Sequence, residues 1–168
     1  MNRMELERIK NEYLKAKSNV KRRVVLCAGT GCVANGSVKV YEALVEAVKK
    51  AGVDVTVTME RDTTSEVYVS KSGCQGFCQM GPLLTIFPDN ILYTKVQVGD
   101  VTEIAEKTLR DGEILERLLY VNPADGCQCK LTEDVPFYAK QSRFVIKQCG
   151  YLDPENICLL YTSDAADE

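Results

Sequence analysis

The stretch RRVVLCAGTGCVANGSVKVYEALVEAVKK, residues 22–50, holds the elements that decide the fold. It opens with a short β-type run, RRVVL, which ends at Cys27 and a glycine-rich turn. A helix is predicted from about Ser37, which can act as its N-cap, and Gly52 can close it. The stretch therefore predicts a strand, a loop with two cysteines and then an amphipathic helix.

Shorter elements follow this unit along the chain. They are a half-buried strand at 53–59, a short strand at 67–69, a hairpin formed by 83–87 and 91–96 around Pro88-Asp89-Asn90, a helix from Asp100 to Gly112 and a last helical turn at 114–120. Asp100 and Glu103 resemble a capping box at the start of that helix. A β-α-β half followed by a β-β-α half is the order that a thioredoxin-like α/β domain needs.

The amino-acid composition excludes several kinds of functional site. The chain has 168 residues, 45% of them hydrophobic, which suits one domain with additional segments rather than two large domains. The net charge is −3, which argues against a nucleic-acid-binding surface. Histidine is absent, which excludes histidine acid–base catalysis, Ser–His and Cys–His nucleophilic sites and histidine metal ligands in this chain. The eight cysteines remain to be explained.

The N-terminal segment lacks the features of an exported protein. Residues 1–21 contain no apolar core of a secretory signal, and no stretch of the chain approaches the ~20 apolar residues of a membrane span. We therefore expect a cytoplasmic location. In that reducing compartment, grouped cysteines bind metal or carry out redox chemistry more often than they form disulfides.

Four cysteines form two spaced pairs in glycine-rich loops. Cys27 and Cys32 have four residues between them, Cys74 and Cys78 have three, and each pair follows a predicted strand. Glycines allow a backbone to curl around an inorganic centre and allow its N–H groups to approach sulfur. Two loops that each supply two thiolates suit a 2Fe–2S cluster, and the absence of histidine excludes a Rieske-type centre.

Other interpretations stay open from these residues alone. A structural zinc site with four cysteine ligands is one, although zinc favours C-x-x-C knuckles and neither pair has that spacing. A dithiol redox site is another, although the C-x-x-C motif is absent. Four buried structural cysteines are the third. The competing function is accordingly a zinc-bound or metal-free thioredoxin-like module that docks subunits.

The motifs VVLCAGTGC at 24–32 and GCQGFCQMGP at 73–82 together resemble the thioredoxin-like 2Fe–2S ferredoxin domain. The resemblance spans roughly residues 20–120. More narrowly, the sequence resembles the N-terminal domain of a flavin-containing NADH-binding subunit. Such subunits occur in NAD(P)-reducing hydrogenases, including electron-bifurcating ones, and in the NADH dehydrogenase family. It implies one-electron transfer through a 2Fe–2S cluster. The cluster ligands that it implies are Cys27, Cys32, Cys74 and Cys78.

A second motif, PFYAKQSRFVIKQCGYLDPENI at 136–157, resembles the opening of the flavin and NADH domain of the same family. In that family the domain continues with a glycine-rich nucleotide loop and a cysteine motif for a 4Fe–4S cluster, and this chain has neither. The resemblance implies FMN and 4Fe–4S only in a missing part of a longer protein. It also implies partners among the other subunits of a multimeric hydrogenase or NADH dehydrogenase complex.

These patterns divide the chain into five segments. They are an N-terminal helix at 1–19, the thioredoxin-like 2Fe–2S domain at 20–120, a polar linker at 121–135, the start of a truncated FMN- and NADH-binding domain at 136–157 and a non-native tail at 158–168. Within the fourth segment, Phe144, Val145 and Ile146 are a candidate strand. The tail, CLLYTSDAADE, has no periodicity and resembles the translation of a sequencing adapter. Without its acidic residues the net charge is zero.

The remaining cysteines carry weaker predictions. Cys127 and Cys129 form a C-x-C in the linker, and we expect exposed thiols there rather than a metal site. Cys149 matches a cysteine of the family's opening segment, and we expect it to pack. Cys158 belongs to the tail.

Overall fold

A five-stranded mixed sheet organises the chain in the computed structural model, which describes residues 3–60 and 62–154. The helices are α1 (Arg3–Asn19), α2 (Thr30–Ala34), α3 (Ser37–Lys50), α4 (Val101–Glu103) and α5 (Pro136–Ala139), and α4 continues into a π-helical segment, Ile104–Asp111. The strands are β1 (Arg22–Cys27), β2 (Val55–Thr56), β3 (Val67–Ser72), β4 (Leu84–Phe87), β5 (Ile91–Tyr93), β6 (Tyr120–Val121) and β7 (Gln128–Cys129).

Strand β1 lies at the centre of the sheet. The strand order is β2-β3-β1-β4-β5, with β1 parallel to β3 and antiparallel to β4. Helix α3 lies between β1 and β3 in the sequence, and the β4–β5 hairpin precedes α4. This is the β-α-β and then β-β-α order that the sequence predicts.

The main core lies between the sheet and the helices α3 and α4 with its π-helical continuation. Its largest group of buried side chains comes from these elements and includes Val24, Leu26, Val40, Leu44, Val69, Leu84, Ile104 and Leu109. Tyr68 lies on the opposite face of β3, since successive strand residues alternate, and packs with Ala16 of α1 and Met59. Each fully buried aliphatic side chain contributes roughly 1.5–3 kcal/mol to folding.

The second predicted strand is shorter than expected, and another strand takes its place in the β-α-β unit. The alternating run at 53–59 forms only the two-residue edge strand β2, so the predicted seven-residue strand is wrong. Strand β3 completes the β-α-β unit instead, and it extends to Ser72 rather than ending at residue 69. Its residues are buried on both faces, and a strand of that kind carries no alternation for a sequence pattern to detect.

Two predicted helix caps are also wrong. Ser37 is the first residue of α3, and Gly36 in a left-handed conformation (φ 90°) occupies the N-cap position. Asp100 occupies the N-cap position of α4, but its side chain makes no capping hydrogen bond there. It accepts instead a hydrogen bond from the backbone N–H of Gln97 at 2.7 Å, one turn earlier. Glu103 pairs with Lys107 at 2.8 Å instead of closing a capping box.

The segment after residue 112 lies against the β5 edge of the sheet. The predicted helical turn at 114–120 is a single 3₁₀ turn, Glu116–Leu118, followed by the hairpin of β6 and β7. The Leu92 N–H donates to the Lys130 carbonyl at 3.2 Å, and the Thr132 N–H donates to the Asn90 carbonyl at 2.9 Å. The predicted linker is therefore hydrogen-bonded to the domain before it.

The candidate strand at residues 144–146 is wrong. These residues lie in a bend and turns, and Phe144 and Val145 are 88% and 91% exposed. The predicted tail, Cys158 included, lies outside the described residues. Of the described helices, none combines the length and the apolar character that crossing a bilayer requires.

Tyr93 offers a test of this packing. Its hydroxyl is fully buried, accepts the Leu115 N–H at 2.9 Å and lies 2.9 Å from the Thr108 hydroxyl. We expect Tyr93→Phe to lower the free energy of unfolding by about 1–3 kcal/mol, because two buried polar groups lose their partner.

Urea unfolding monitored by circular dichroism measures this change. Tyr151→Phe is the matched control, because that side chain is half exposed, and we expect it to leave the midpoint unchanged. An equal effect of the two substitutions would contradict the role given to the Tyr93 hydroxyl.

Candidate metal centre

The parallel pairing of β1 and β3 brings the two cysteine loops together. Cys27, the last residue of β1, is in register with Ser72, the last residue of β3. Both strands therefore end at the same edge of the sheet. The loop and short helix after β1 carry Cys32, and the loop after β3 carries Cys74 and Cys78.

The four thiols lie as two adjacent pairs. Cys74 Sγ and Cys78 Sγ are 3.8 Å apart. With metal–sulfur bonds of about 2.3 Å and tetrahedral angles, two thiolates on one metal lie about 3.8 Å apart. Cys27 and Cys32 form the other pair: both belong to one buried apolar cluster, and each shifts the pKa of the other. The distance between Cys74 Sγ and Cys78 Sγ thus suits two ligands of one metal ion.

Glycines bring the loops into contact. A Cβ atom on Gly29 would lie 2.8 Å from Cys74 Cβ and 2.9 Å from its Cα, closer than real Cβ atoms approach. A Cβ atom on Gly31 would lie 3.1 Å from Cys78 Cβ. The first loop therefore packs against both cysteines of the second loop, and a side chain at residue 29 would force them apart.

Backbone amides point at the sulfur atoms, as the glycine-rich loops predict. The Gln75 N–H donates to Cys27 Sγ at 3.5 Å, and the Gly76 N–H donates to Cys74 Sγ at 3.4 Å. Such hydrogen bonds stabilise negative charge on sulfur, whether in a thiolate or in a metal–thiolate bond.

The sulfur atoms influence each other's protonation. The hydrogen bond from Cys32 lowers the pKa of Cys27 to about 6, and the amides of Gln75 and Gly29 add to this against the effect of burial. The same contact with Cys27 raises the pKa of Cys32, and the contact with Cys74 raises that of Cys78. The pKa values of the first pair thus shift in opposite directions. A cluster takes both cysteines as thiolates, so its binding would release protons.

The two pairs differ in exposure. Cys27 and Cys32 are buried in an apolar cluster, whereas Cys74 and Cys78 are exposed. The other buried members of that cluster are Phe77, Leu83, Leu92, Cys129 and Val135. The Cys27–Cys32 side of the site is therefore shielded from water, and the Cys74–Cys78 side faces solvent.

Residues from the C-terminal segment complete the surroundings of the second loop. Phe137 of α5 stacks on Phe77 with ring centroids 4.5 Å apart and planes 9° apart. The Arg143 guanidinium donates to the Gln75 carbonyl at 2.6 Å. Sequence reasoning missed Phe77, Phe137 and Arg143, because no local pattern connects residues so far apart in the chain.

The remaining cysteines differ in their placement. Cys127 is exposed, as predicted. The prediction of an exposed thiol at Cys129 is wrong: only 7% of this residue is accessible, because the β6–β7 hairpin turns it toward Leu92 and Val135. Cys149 packs as predicted, since its Sγ lies 3.3 Å from the position of a Cβ atom on Gly73.

Comparison with known proteins identifies the family. The family model for the thioredoxin-like [2Fe-2S] ferredoxin matches residues 10–109. The chain belongs to this family. A 2Fe–2S ferredoxin of Clostridium pasteurianum is 32% identical over 105 residues, which are 60% of this chain and 96% of that protein. A 2Fe–2S ferredoxin of Aquifex aeolicus is 36% identical over 88 residues, which are 52% of this chain and 71% of that protein.

The solved structure of a thioredoxin-like [2Fe-2S] ferredoxin from Aquifex aeolicus is also similar. It is 28% identical, with a TM-score of 0.48, and the match covers 59% of this chain and 89% of that one. The family membership confirms the predicted fold, a thioredoxin-like α/β domain. It also confirms the 2Fe–2S cofactor and ferredoxin-type electron transfer.

The donor set of this ferredoxin domain fits the cofactor. A binuclear cluster takes its four thiolates two per iron. The two loops that meet at Gly29 supply two cysteines each.

Gly29→Ala tests the contact between the loops. We expect the added methyl group to separate Cys74 from the first loop and to lower cluster affinity by at least about tenfold, the usual range for residues that position metal ligands. Iron and acid-labile sulfide per chain, assayed after anaerobic reconstitution, measure the loss.

Gly99→Ala is the control, because a Cβ atom there meets nothing within 4 Å. A Gly29→Ala protein that retains its full cluster with an unchanged spectrum would show that the loops do not need this close approach.

Proposed function

We propose that this ferredoxin domain holds its 2Fe–2S cluster with four thiolates, from Cys27, Cys32, Cys74 and Cys78. The observation that carries the proposal is the meeting of two cysteine pairs at one edge of the sheet, with the loops in contact at Gly29. When bound, the cluster supplies reversible one-electron transfer. The chain itself provides no catalytic residue in this account.

The surroundings of the two pairs favour a relay with one open side. Burial of Cys27 and Cys32 excludes water there, and the amides of Gln75 and Gly76 stabilise the added negative charge of the reduced centre. The exposed Cys74 and Cys78 mark the side at which a redox partner would approach.

Replacement of one ligand tests this assignment. We expect Cys74→Ser to lose most of its iron and sulfide or to change its visible spectrum, because a serine hydroxyl is a poorer ligand than a thiolate for Fe–S clusters. Absorption spectra and iron assays on anaerobically purified protein measure both effects.

Cys127→Ser is the matched control, since Cys127 is exposed in the β6–β7 hairpin. Full iron content and an unchanged spectrum in Cys74→Ser would remove Cys74 from the ligand set.

The domain is, we further propose, the electron-transfer part of an NAD(P)H-linked oxidoreductase subunit of the hydrogenase or NADH dehydrogenase type. In this account residues 20–120 relay electrons, 121–135 connect, 136–157 open a flavin and NADH domain, and 158–168 are non-native. The C. pasteurianum ferredoxin is matched over 96% of its length by only 60% of this chain, and residues 121–168 lie outside the range 10–109 that the family model matches.

Exposed apolar side chains support that reading. Phe144 and Val145 are almost fully accessible, and adjacent large apolar residues exposed in this way mark a surface that packs against something else. The remaining residues of a flavin domain would cover these two side chains.

The proposed partners are the other subunits of a cytoplasmic complex. The alternatives are a stand-alone ferredoxin and a zinc-bound or metal-free docking module.

Sequencing of the locus in source DNA tests the assignment to a larger subunit. We expect the reading frame to continue past residue 157 with a glycine-rich nucleotide loop and a cysteine motif, and without the sequence at 158–168. A frame that ends with CLLYTSDAADE and a stop codon would contradict the proposal and favour a stand-alone ferredoxin.

A further inference from the structure

Arg143 lies beside the loop that carries the exposed cysteine pair. Its guanidinium donates to the Gln75 carbonyl at 2.6 Å, and a Cβ atom on Gly76 would lie 3.3 Å from the Arg143 Nη2. Gly76 has a φ of +90°, a conformation that glycine adopts readily. The loop backbone is therefore shaped to receive a cation at this position.

One peptide group connects Arg143 to a sulfur atom. The Gln75 carbonyl and the Gly76 N–H belong to the same peptide unit, and the Gly76 N–H donates to Cys74 Sγ at 3.4 Å. A charged donor on the carbonyl polarises the peptide and strengthens the hydrogen bond that its N–H makes. Arg143 thus acts on Cys74 through this peptide and through its own charge.

Two further contacts hold the guanidinium in place. Its carbon lies 4.7 Å from the centroid of the Tyr138 ring, and its Nε donates to Gln141 Oε1 at 3.1 Å. Tyr138 is itself packed against Phe77 of the cysteine loop, with ring centroids 5.8 Å apart. The cation is consequently fixed relative to the loop and partly shielded from solvent.

Fixed positive charge and polarised N–H groups stabilise the more negative of two redox states. Reduction adds one electron to the cluster and forms or breaks no bond in the chain, so the reduced centre carries one more negative charge. Interaction with a cation is therefore stronger in the reduced state, and hydrogen bonds to cluster sulfur act in the same direction.

We propose that Arg143 is a positioning residue that raises the reduction potential of the cluster through the 75–76 peptide. The inference rests on the proposed ligand assignment of Cys74. It places a determinant of the potential in the C-terminal segment, outside residues 10–109 that the family model matches. Displacement of that segment would accordingly make the cluster a stronger reductant.

The test is the midpoint potential of the cluster-loaded full chain, measured by a dithionite titration monitored by EPR. We expect Arg143→Gln to disfavour reduction by about three- to tenfold in the equilibrium constant, where tenfold corresponds to about 59 mV for one electron. Arg143→Lys retains the charge but not the forked donor, so we expect a smaller shift in the same direction.

Arg110→Gln is the matched control for net charge. Arg110 pairs with Asp111 at 2.9 Å, beside the residues that Arg22 contacts at the start of β1, and therefore at the far end of that strand from Cys27. We expect no shift in this variant. An equal shift in Arg110→Gln, or an unchanged potential in Arg143→Gln, would overturn the inference.

A second variant decides the case in which Arg143→Gln loses its cluster. Tyr138→Leu removes the ring that orients the guanidinium but keeps the charge in the chain, and we expect a more negative potential. An unchanged potential in that variant would overturn the inference. A wild-type chain that binds no 2Fe–2S cluster would instead refute the proposed function, so the two failures are distinguishable.

Discussion

The approach of two loops at Gly29 and Cys74 is the constraint on which the rest of the site depends. A methyl group at residue 29 would lie within 3 Å of the Cys74 backbone, so the contact tolerates no side chain. The parallel register of β1 and β3 sets this distance, because it ends both strands at one edge of the sheet. The core packed between α3 and the sheet holds that register in turn.

Residues after 112 also form part of the surroundings of the four cysteines, together with the domain that precedes them. Cys129 and Val135 belong to the apolar cluster behind Cys27 and Cys32, and Phe137 stacks on Phe77. These contacts keep water from one cysteine pair and leave the other accessible. A relay needs both properties, since a shielded centre stabilises its redox states and an accessible edge lets electrons pass to a partner.

The sequence predicted the chemistry of the site better than its surroundings. The cysteine pairs and their glycines were recognisable because metal ligation imposes residue types and spacings that are local in the chain. The full length of β3 and its pairing with β1 were not, because a strand buried on both faces has no alternating pattern. The burial of Cys129 and the contact of Arg143 with Gln75 arise only from tertiary packing, and no short-range pattern encodes either.

The visible absorption spectrum of the anaerobically purified chain, with iron and sulfide assayed on the same sample, tests the central claim most directly. We expect a red-brown protein with about two iron and two sulfide per chain, as a binuclear centre requires. A colourless protein that holds zinc, or that binds no metal after cluster reconstitution, would contradict it and favour a docking module.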